Sequence, residues 1–313
     1  MDTSSILPAL SAEHENLISD FRISLEVESN DSPHTVRGYC ADVRAFLMWC
    51  ERDGRDPLTM RHQQLRLYLA YLDQAQYSRT TINRHLSSLK SFYRWLVITG
   101  LCEVSPAEVL QGPKQPRSLP HVMTAQDMQR LLAVSVADKH PDEVTACDIR
   151  NQALLELLYA CGLRVSEASG LQLDGLDFEQ GLVRVWGKGS KERLVPLHAT
   201  ARTSLMRYLS GPRDELLAGK ASCYVFVSTR GRQMSTDAIR RVFKSALRQA
   251  GLDESFSPHA VRHTFATDLL SGGANLRSVQ EMLGHASLST TQIYTHLTSE
   301  YLQREHCRAH PRG

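Results

Sequence analysis

Hydrophobic positions recur at intervals of three and four through residues 11–111, which predicts an all-helical N-terminal half of four or five helices and no strand. In TVRGYCADVRAFLMWC, Val36, Tyr39, Val43, Phe46 and Leu47 share one stripe. Between Ser78 and Thr99, Ile82, Leu86, Leu89, Phe92, Tyr93 and Leu96 do the same, while Arg79, Arg84, Lys90 and Arg94 lie off its centre with no acidic residue between them. The period stops at 112–120, GPKQPRSLP, where three prolines and a glycine mark an interdomain linker. Beyond it, Thr124 with Asp127 three residues on predicts a capped helix start. A second helix over 148–160 stops at Gly162, and Ser166, Glu167 and Ala168 open another, which leaves Arg164 at the junction. From 177 the pattern changes: Leu182, Val183 and Val185, then Leu194, Val195 and Leu197, flank the turn 187–190, a β-hairpin with Lys188 at its tip. Helical spacing returns after 199, with Ser257 and Pro258 starting one helix and Gly272, Gly273 and Gly284 interrupting the chain after it. The expected fold is mainly α with a small β-sheet: a helical domain over 11–111, a linker over 112–120 and an α+β domain over 121–313.

Composition adds limits rather than detail. A chain of 313 residues with 42% hydrophobic and 22% charged positions fits two globular domains and leaves no room for long disorder. Its net charge of +2, from 36 Lys+Arg against 34 Asp+Glu, gives no uniform basic coat, so any nucleic-acid face must be local. The basic face of residues 79–94 is such a place, read either as a solvated surface or as a phosphate-backbone contact. Seven cysteines without a CxxC pair argue against a disulfide framework or a zinc ribbon and for a reducing compartment. The opening MDTSSILPAL has no basic signal-peptide start, and ALLELLYACGL is too short for a bilayer and carries Glu156. A soluble, cytoplasmic protein with no membrane partner is expected.

The residues suited to chemistry lie in the second half. His259, Arg262 and His263 sit at one helix start, His285 follows a glycine, Tyr294 comes nine residues later, and Arg164 and Lys188 stand at a helix junction and a hairpin tip. Guanidinium groups bind phosphate oxygens in a fork and stay charged, so this cationic set suits an anionic substrate and phosphoryl transfer. Taken singly, each residue also has a structural explanation: a core tyrosine, a helix-end ion pair, a turn lysine. His259 and His263 have the i, i+4 spacing of a zinc helix, but Ala260 stands where a metalloprotease has glutamate and Arg262 puts a fixed charge beside the site. No acidic cluster supplies the oxygen ligands of a two-metal nuclease. WGKGSKER lacks the P-loop spacing, since five residues separate Gly181 from Gly187 and Gly189 follows Lys188. No metal and no cofactor are expected.

The segments CGLRVSE, GKGSKERLVPL, SPHAVRHTFAT and LGHASLSTTQIYTHL, in this order and spacing, strongly resemble the tyrosine recombinase (lambda integrase) family. More narrowly they are similar to the bacterial Xer recombinases, with motif surroundings close to both XerC and XerD and slightly nearer XerC. The resemblance covers nearly the whole chain. It implies a SAM-like core-binding domain before the linker and a catalytic domain after it. By its pattern Arg164, Lys188, His259, Arg262, His285 and Tyr294 are the catalytic residues, with Tyr294 the nucleophile; His263 is left as a packing or supporting residue.

The resemblance further implies a metal- and ATP-independent enzyme that cuts and rejoins DNA through a 3′-phosphotyrosyl link. It would close as a clamp on a double-stranded recombination site, as a tetramer with a second Xer-type recombinase, under an FtsK-type translocase, to resolve chromosome dimers at cell division. Arg79, Arg84, Lys90 and Arg94 become DNA contacts, and the tail TSEYLQREHCRAH a contact with a neighbouring subunit. The rival readings are an integrase or resolvase of a mobile element, a type IB topoisomerase, and an architectural DNA-binding protein with a degenerate site.

Overall fold

The computed structural model describes residues 10–27, 33–114, 122–136, 140–187, 192–284 and 299–312, and the chain divides into two compact units, 1–118 and 119–313. Among the described residues the first unit is all helical: α1 (Ala12–Val27), α2 (Pro33–Arg52), α3 (His62–Gln74) and α4 (Arg79–Ile98). Ser78 caps α4, its hydroxyl accepting from the Thr81 N–H at 3.2 Å. The stripe read from the sequence is the buried face: Ile82, Leu86, Leu89, Phe92, Tyr93 and Leu96 of α4 meet Val43, Phe46 and Leu47 of α2. Aromatic edges fill the centre, with Phe21 on Phe92 at 5.3 Å and Phe46 on Tyr68 at 5.1 Å between ring centroids.

The second unit opens with α5 (Ala125–Ala133), where Thr124 and Asp127 exchange cap bonds, the Asp127 N–H donating to the Thr124 hydroxyl at 3.1 Å. The next helix, α6 (Ala146–Ala160), starts two residues earlier than its apolar pattern indicates. Thr145 and Asp148 form the same reciprocal cap there, and that cap fixes the start. Its central residues, Ala153 to Ala160, are buried all round. Helices α7 (Val165–Gly170), α8 (Ala199–Leu209), α9 (Pro212–Leu217), α10 (Thr236–Gln249), α11 (Pro258–Ser271), α12 (Leu276–Leu283) and α13 (Ser299–Ala309) complete the unit. One antiparallel sheet runs β1 (Leu176–Asp177), β2 (Leu182–Trp186) and β3 (Glu192–Pro196), with Val183 opposite Val195 and Val185 opposite Arg193. The hairpin is therefore present, and its tip, 188–191, lies outside the described residues.

The tail expected to contact a neighbouring subunit packs, in this single chain, on its own unit. Leu302, Glu305, His306 and Ala309 of α13 are buried, as is His310 after it. The reason is a stack of imidazoles: His310 lies 4.8 Å from His198 and 4.9 Å from His306 between centroids, against Tyr159 and Phe265. His306 donates from Nε2 to the Ala160 carbonyl at 2.8 Å, and Nη1 of Arg312 donates to both carboxylate oxygens of the buried Glu156, at 2.8 and 2.9 Å.

Burial pushes the His198 imidazole down to about 3 and His310 to about 2, with further lowering from the neighbouring histidines. Both are neutral in the folded chain, whereas unfolded histidines take up protons near pH ~6.5. Their contribution is thus complete above about pH 6.5 and declines as pH falls toward the folded values, by up to about 1.4 kcal/mol per pH unit per histidine. Between pH 7 and 5 the melting temperature of the catalytic unit should fall on the order of 10 °C. His310→Phe, which keeps a ring in the stack, should reduce that slope measurably in scanning calorimetry. An unchanged slope would remove the stack from the acid response.

Candidate active site

Three of the six residues expected to be catalytic lie among the described residues, and two converge. After α6 the chain turns at Gly162, whose φ of +56° is left-handed and whose added Cβ would stand 2.4 Å from the Phe265 ring. That turn delivers Arg164 to the N-cap position of α7. From the other side, Pro258 starts α11 and places Arg262 one turn inside it. Arg262 is buried, and its Nη1 and Nη2 donate to the carbonyls of Gly162 and Leu283. Nη1 of Arg164, whose side chain is 35% exposed, reaches the same Leu283 carbonyl at 3.5 Å. One carbonyl oxygen thus gathers both guanidinium groups, two residues before His285.

A carboxylate that the sequence marks only as a helix-opening acid holds this pair together. Glu167 is buried in α7 and accepts from the Arg164 backbone N–H and Nη1, each at 2.8 Å, while Arg262 Nη1 stands 3.8 Å away. Arg193 of β3 grips the same carboxylate in a fork, Nη1 and Nη2 both at 2.8 Å, and its Nε donates to the Met282 carbonyl at 2.7 Å. Burial alone would raise the Glu167 carboxyl; the Arg193 fork and the Arg164 N–H outweigh it and hold the group below its ordinary value. Burial, with the Arg164 charge second, lowers Arg262 to about 10, so it remains protonated at neutral pH.

The only local sign of Glu167 is its place three residues after Arg164, the spacing of a reciprocal helix cap. Arg193 carries no such sign.

His259, at the second position of α11, is exposed on the same side of the helix as Arg262 three residues on. His263 is exposed as well, which corrects its reading as a packing residue. Lys188, His285 and Tyr294 lie outside the described residues. α12 ends at Gly284, left-handed at φ +65°, so the chain turns out of the helix immediately before His285. Among the described residues no group of three histidine, cysteine or acidic side chains is arranged to hold a metal ion. The seven cysteines are all free.

The basic face of α4 is only partly free. Arg79 is exposed and donates to the Lys114 carbonyl at 3.1 Å. Arg84 is paired with Asp42 of α2, a buried carboxylate that also accepts from Ser88 at 2.7 Å, an acidic partner that lies outside the helix. Among the described residues Lys90 and Arg94 make no ion pair; Arg94 is exposed and Lys90 half-buried. No described helix is long and apolar enough to cross a membrane.

Comparison with known proteins gives the same account of the chain. Residues 121–300 match the phage integrase family, and residues 18–100 the N-terminal SAM-like domain of phage integrases. A tyrosine recombinase XerC of Myxococcus xanthus is 44% identical over 95% of this chain and 98% of its own. A tyrosine recombinase XerD of Shewanella oneidensis is 41% identical over 95% and 97%. Among solved structures, the XerH site-specific recombinase bound to a palindromic difH substrate shares the fold with a TM-score of 0.70 at 21% identity, covering 94% of this chain and 84% of that one. With two domain matches in order and near full-length relatives, the chain belongs to the phage integrase family and is a site-specific tyrosine recombinase, an enzyme that cuts and rejoins DNA.

Proposed function

We propose that the chain is an Xer-type recombinase that works on a double-stranded recombination site with Arg164, Lys188, His259, Arg262, His285 and Tyr294 as its catalytic residues. The observation that carries this is the convergence of Arg164 and Arg262 on the Leu283 carbonyl, two residues before His285. A phosphodiester gains charge on its nonbridging oxygens as it becomes pentacoordinate, so two fixed guanidinium groups bind the transition state more strongly than the ground state. His285 adds a hydrogen bond to those oxygens.

Tyr294 forms an Oη–phosphorus bond as the bond to the 5′ oxygen breaks. Its phenol proton passes to His259, and a proton from Lys188 completes the departing 5′ hydroxyl. The phosphotyrosyl ester retains the energy of the phosphodiester, so a 5′ hydroxyl of another strand attacks it, releases the tyrosine and reseals the backbone. No step draws on a metal ion or a nucleotide.

Arg79, Lys90 and Arg94 hold the DNA backbone, with Arg84 contributing as far as Asp42 leaves its charge available. The chain acts in a tetramer with a second Xer-type recombinase on two copies of its site, under an FtsK-type translocase, and resolves chromosome dimers at cell division. The near full-length XerC and XerD relatives support this assignment. The test is to isolate DNA covalently trapped on the protein in cells and sequence it. One recurrent chromosomal site is expected; recovery of the ends of a mobile element would replace the Xer reading with that of an integrase.

A further inference from the structure

Arg193 sits where three elements of the catalytic unit meet, yet nothing in the mechanism uses it. It lies second in β3, opposite Val185, on the strand that leaves the hairpin carrying Lys188. Its side chain is 9% exposed, and all three of its nitrogens are spent inside the protein: two on Glu167 and one on the Met282 carbonyl. Such a group is turned away from any substrate. Glu167, in turn, holds Arg164 by both its backbone and its guanidinium.

We propose that Arg193 is a positioning residue for the reaction: with one guanidinium it clamps Glu167 and the end of α12, and so fixes the direction of Arg164 and of the turn that leads into His285. The inference rests on the catalytic reading given above. Its physical content is twofold. The fork sets the plane of the Glu167 carboxylate, and that plane sets where Arg164 points, because carboxylate and guanidinium bond best when coplanar. The Arg193 charge also balances Glu167, which would otherwise stand 3.8 Å from Arg262 with less to offset it and would weaken the field meant for the phosphate. Lysine keeps the charge but not the fork, so the two substitutions separate these effects.

The experiment measures single-turnover formation of covalent adduct on a nicked suicide duplex carrying the sequence recovered by trapping. Its comparison is the same duplex with a methylphosphonate at the scissile position, which lacks one anionic oxygen. Arg193→Met should slow cleavage of the ordinary duplex by about 10- to 100-fold and Arg193→Lys by less, the range of groups that orient a reacting residue without touching substrate. On the methylphosphonate duplex, where the charge that Arg164 would neutralise is gone, the Arg193→Met deficit should shrink to below about threefold. Added to Arg164→Ala, Arg193→Met should cost clearly less than it does alone, because most of its effect runs through Arg164.

Equal deficits on the two duplexes, or losses that multiply in the double variant, would overturn the proposal. If Arg193→Met melts early, Arg193→Lys carries the same comparison. A wild-type protein that forms no adduct on either duplex removes the catalytic reading and this inference with it; wild-type adduct with undiminished Arg193→Met cleavage removes the positioning role alone.

Discussion

Tyr294→Phe should abolish the covalent protein–DNA adduct while leaving DNA affinity within about twofold of wild type. The substitution deletes one oxygen, and that oxygen is the atom assigned to bond phosphorus. A histidine or a lysine attacking in its place would give a labile phosphoramidate, not the stable ester from which a 5′ hydroxyl recovers the strand. The loss should therefore reach the detection limit of a denaturing gel. Binding should survive because the proposed phosphate contacts come from cations spread over the chain, none of which the substitution alters. An adduct persisting in the variant would move the nucleophile to another residue.

Arg262→Gln should lower the rate of cleavage by about 10²- to 10³-fold, the usual consequence of removing one preorganised donor to a developing anion. Two effects combine here. The positive charge is lost beside Arg164, and a neutral amide reaches only one of the two carbonyls that Arg262 now serves, those of Gly162 and Leu283. A buried carbonyl left without a donor costs about 1–3 kcal/mol, so the variant should also melt earlier. Arg262→Lys should restore part of the melting temperature and little of the rate, because an ammonium keeps the charge without the fork. Single-turnover adduct formation and calorimetry on the two variants separate rate from stability. A rate within threefold of wild type for Arg262→Gln would take the residue out of the site.

Much of this arrangement is legible in the order of the amino acids because it rests on local patterns. The apolar stripe of α4, the Thr124 cap and the glycine turn that sets Arg164 at a helix start are each decided within a few residues. What escapes is set by partners far along the chain. Arg84 meets a carboxylate 42 positions earlier, so its helix alone reads as uniformly basic. Glu167 looks like an ordinary helix-opening acid until Arg193, 26 positions on, is folded against it. A strand arginine beside a turn has the pattern of a surface residue, and only packing reveals that its head is buried. The histidine stack is hidden in the same way, with His198 before α8 and its companions in and after α13. The nucleophile, the hairpin lysine and His285 rest on motif order alone.

The seat of α13 has a consequence for assembly. Every subunit of identical sequence offers the same groove, in which Tyr159, His198 and Phe265 receive the rings of His306 and His310, and the helix that fills it is joined to α12 by the segment holding Tyr294. A helix that leaves its own groove for that of an adjoining copy gives up one set of buried rings and regains the same set, so the exchange is nearly neutral in contact energy and is decided by the reach of the connecting segment and by subunit concentration.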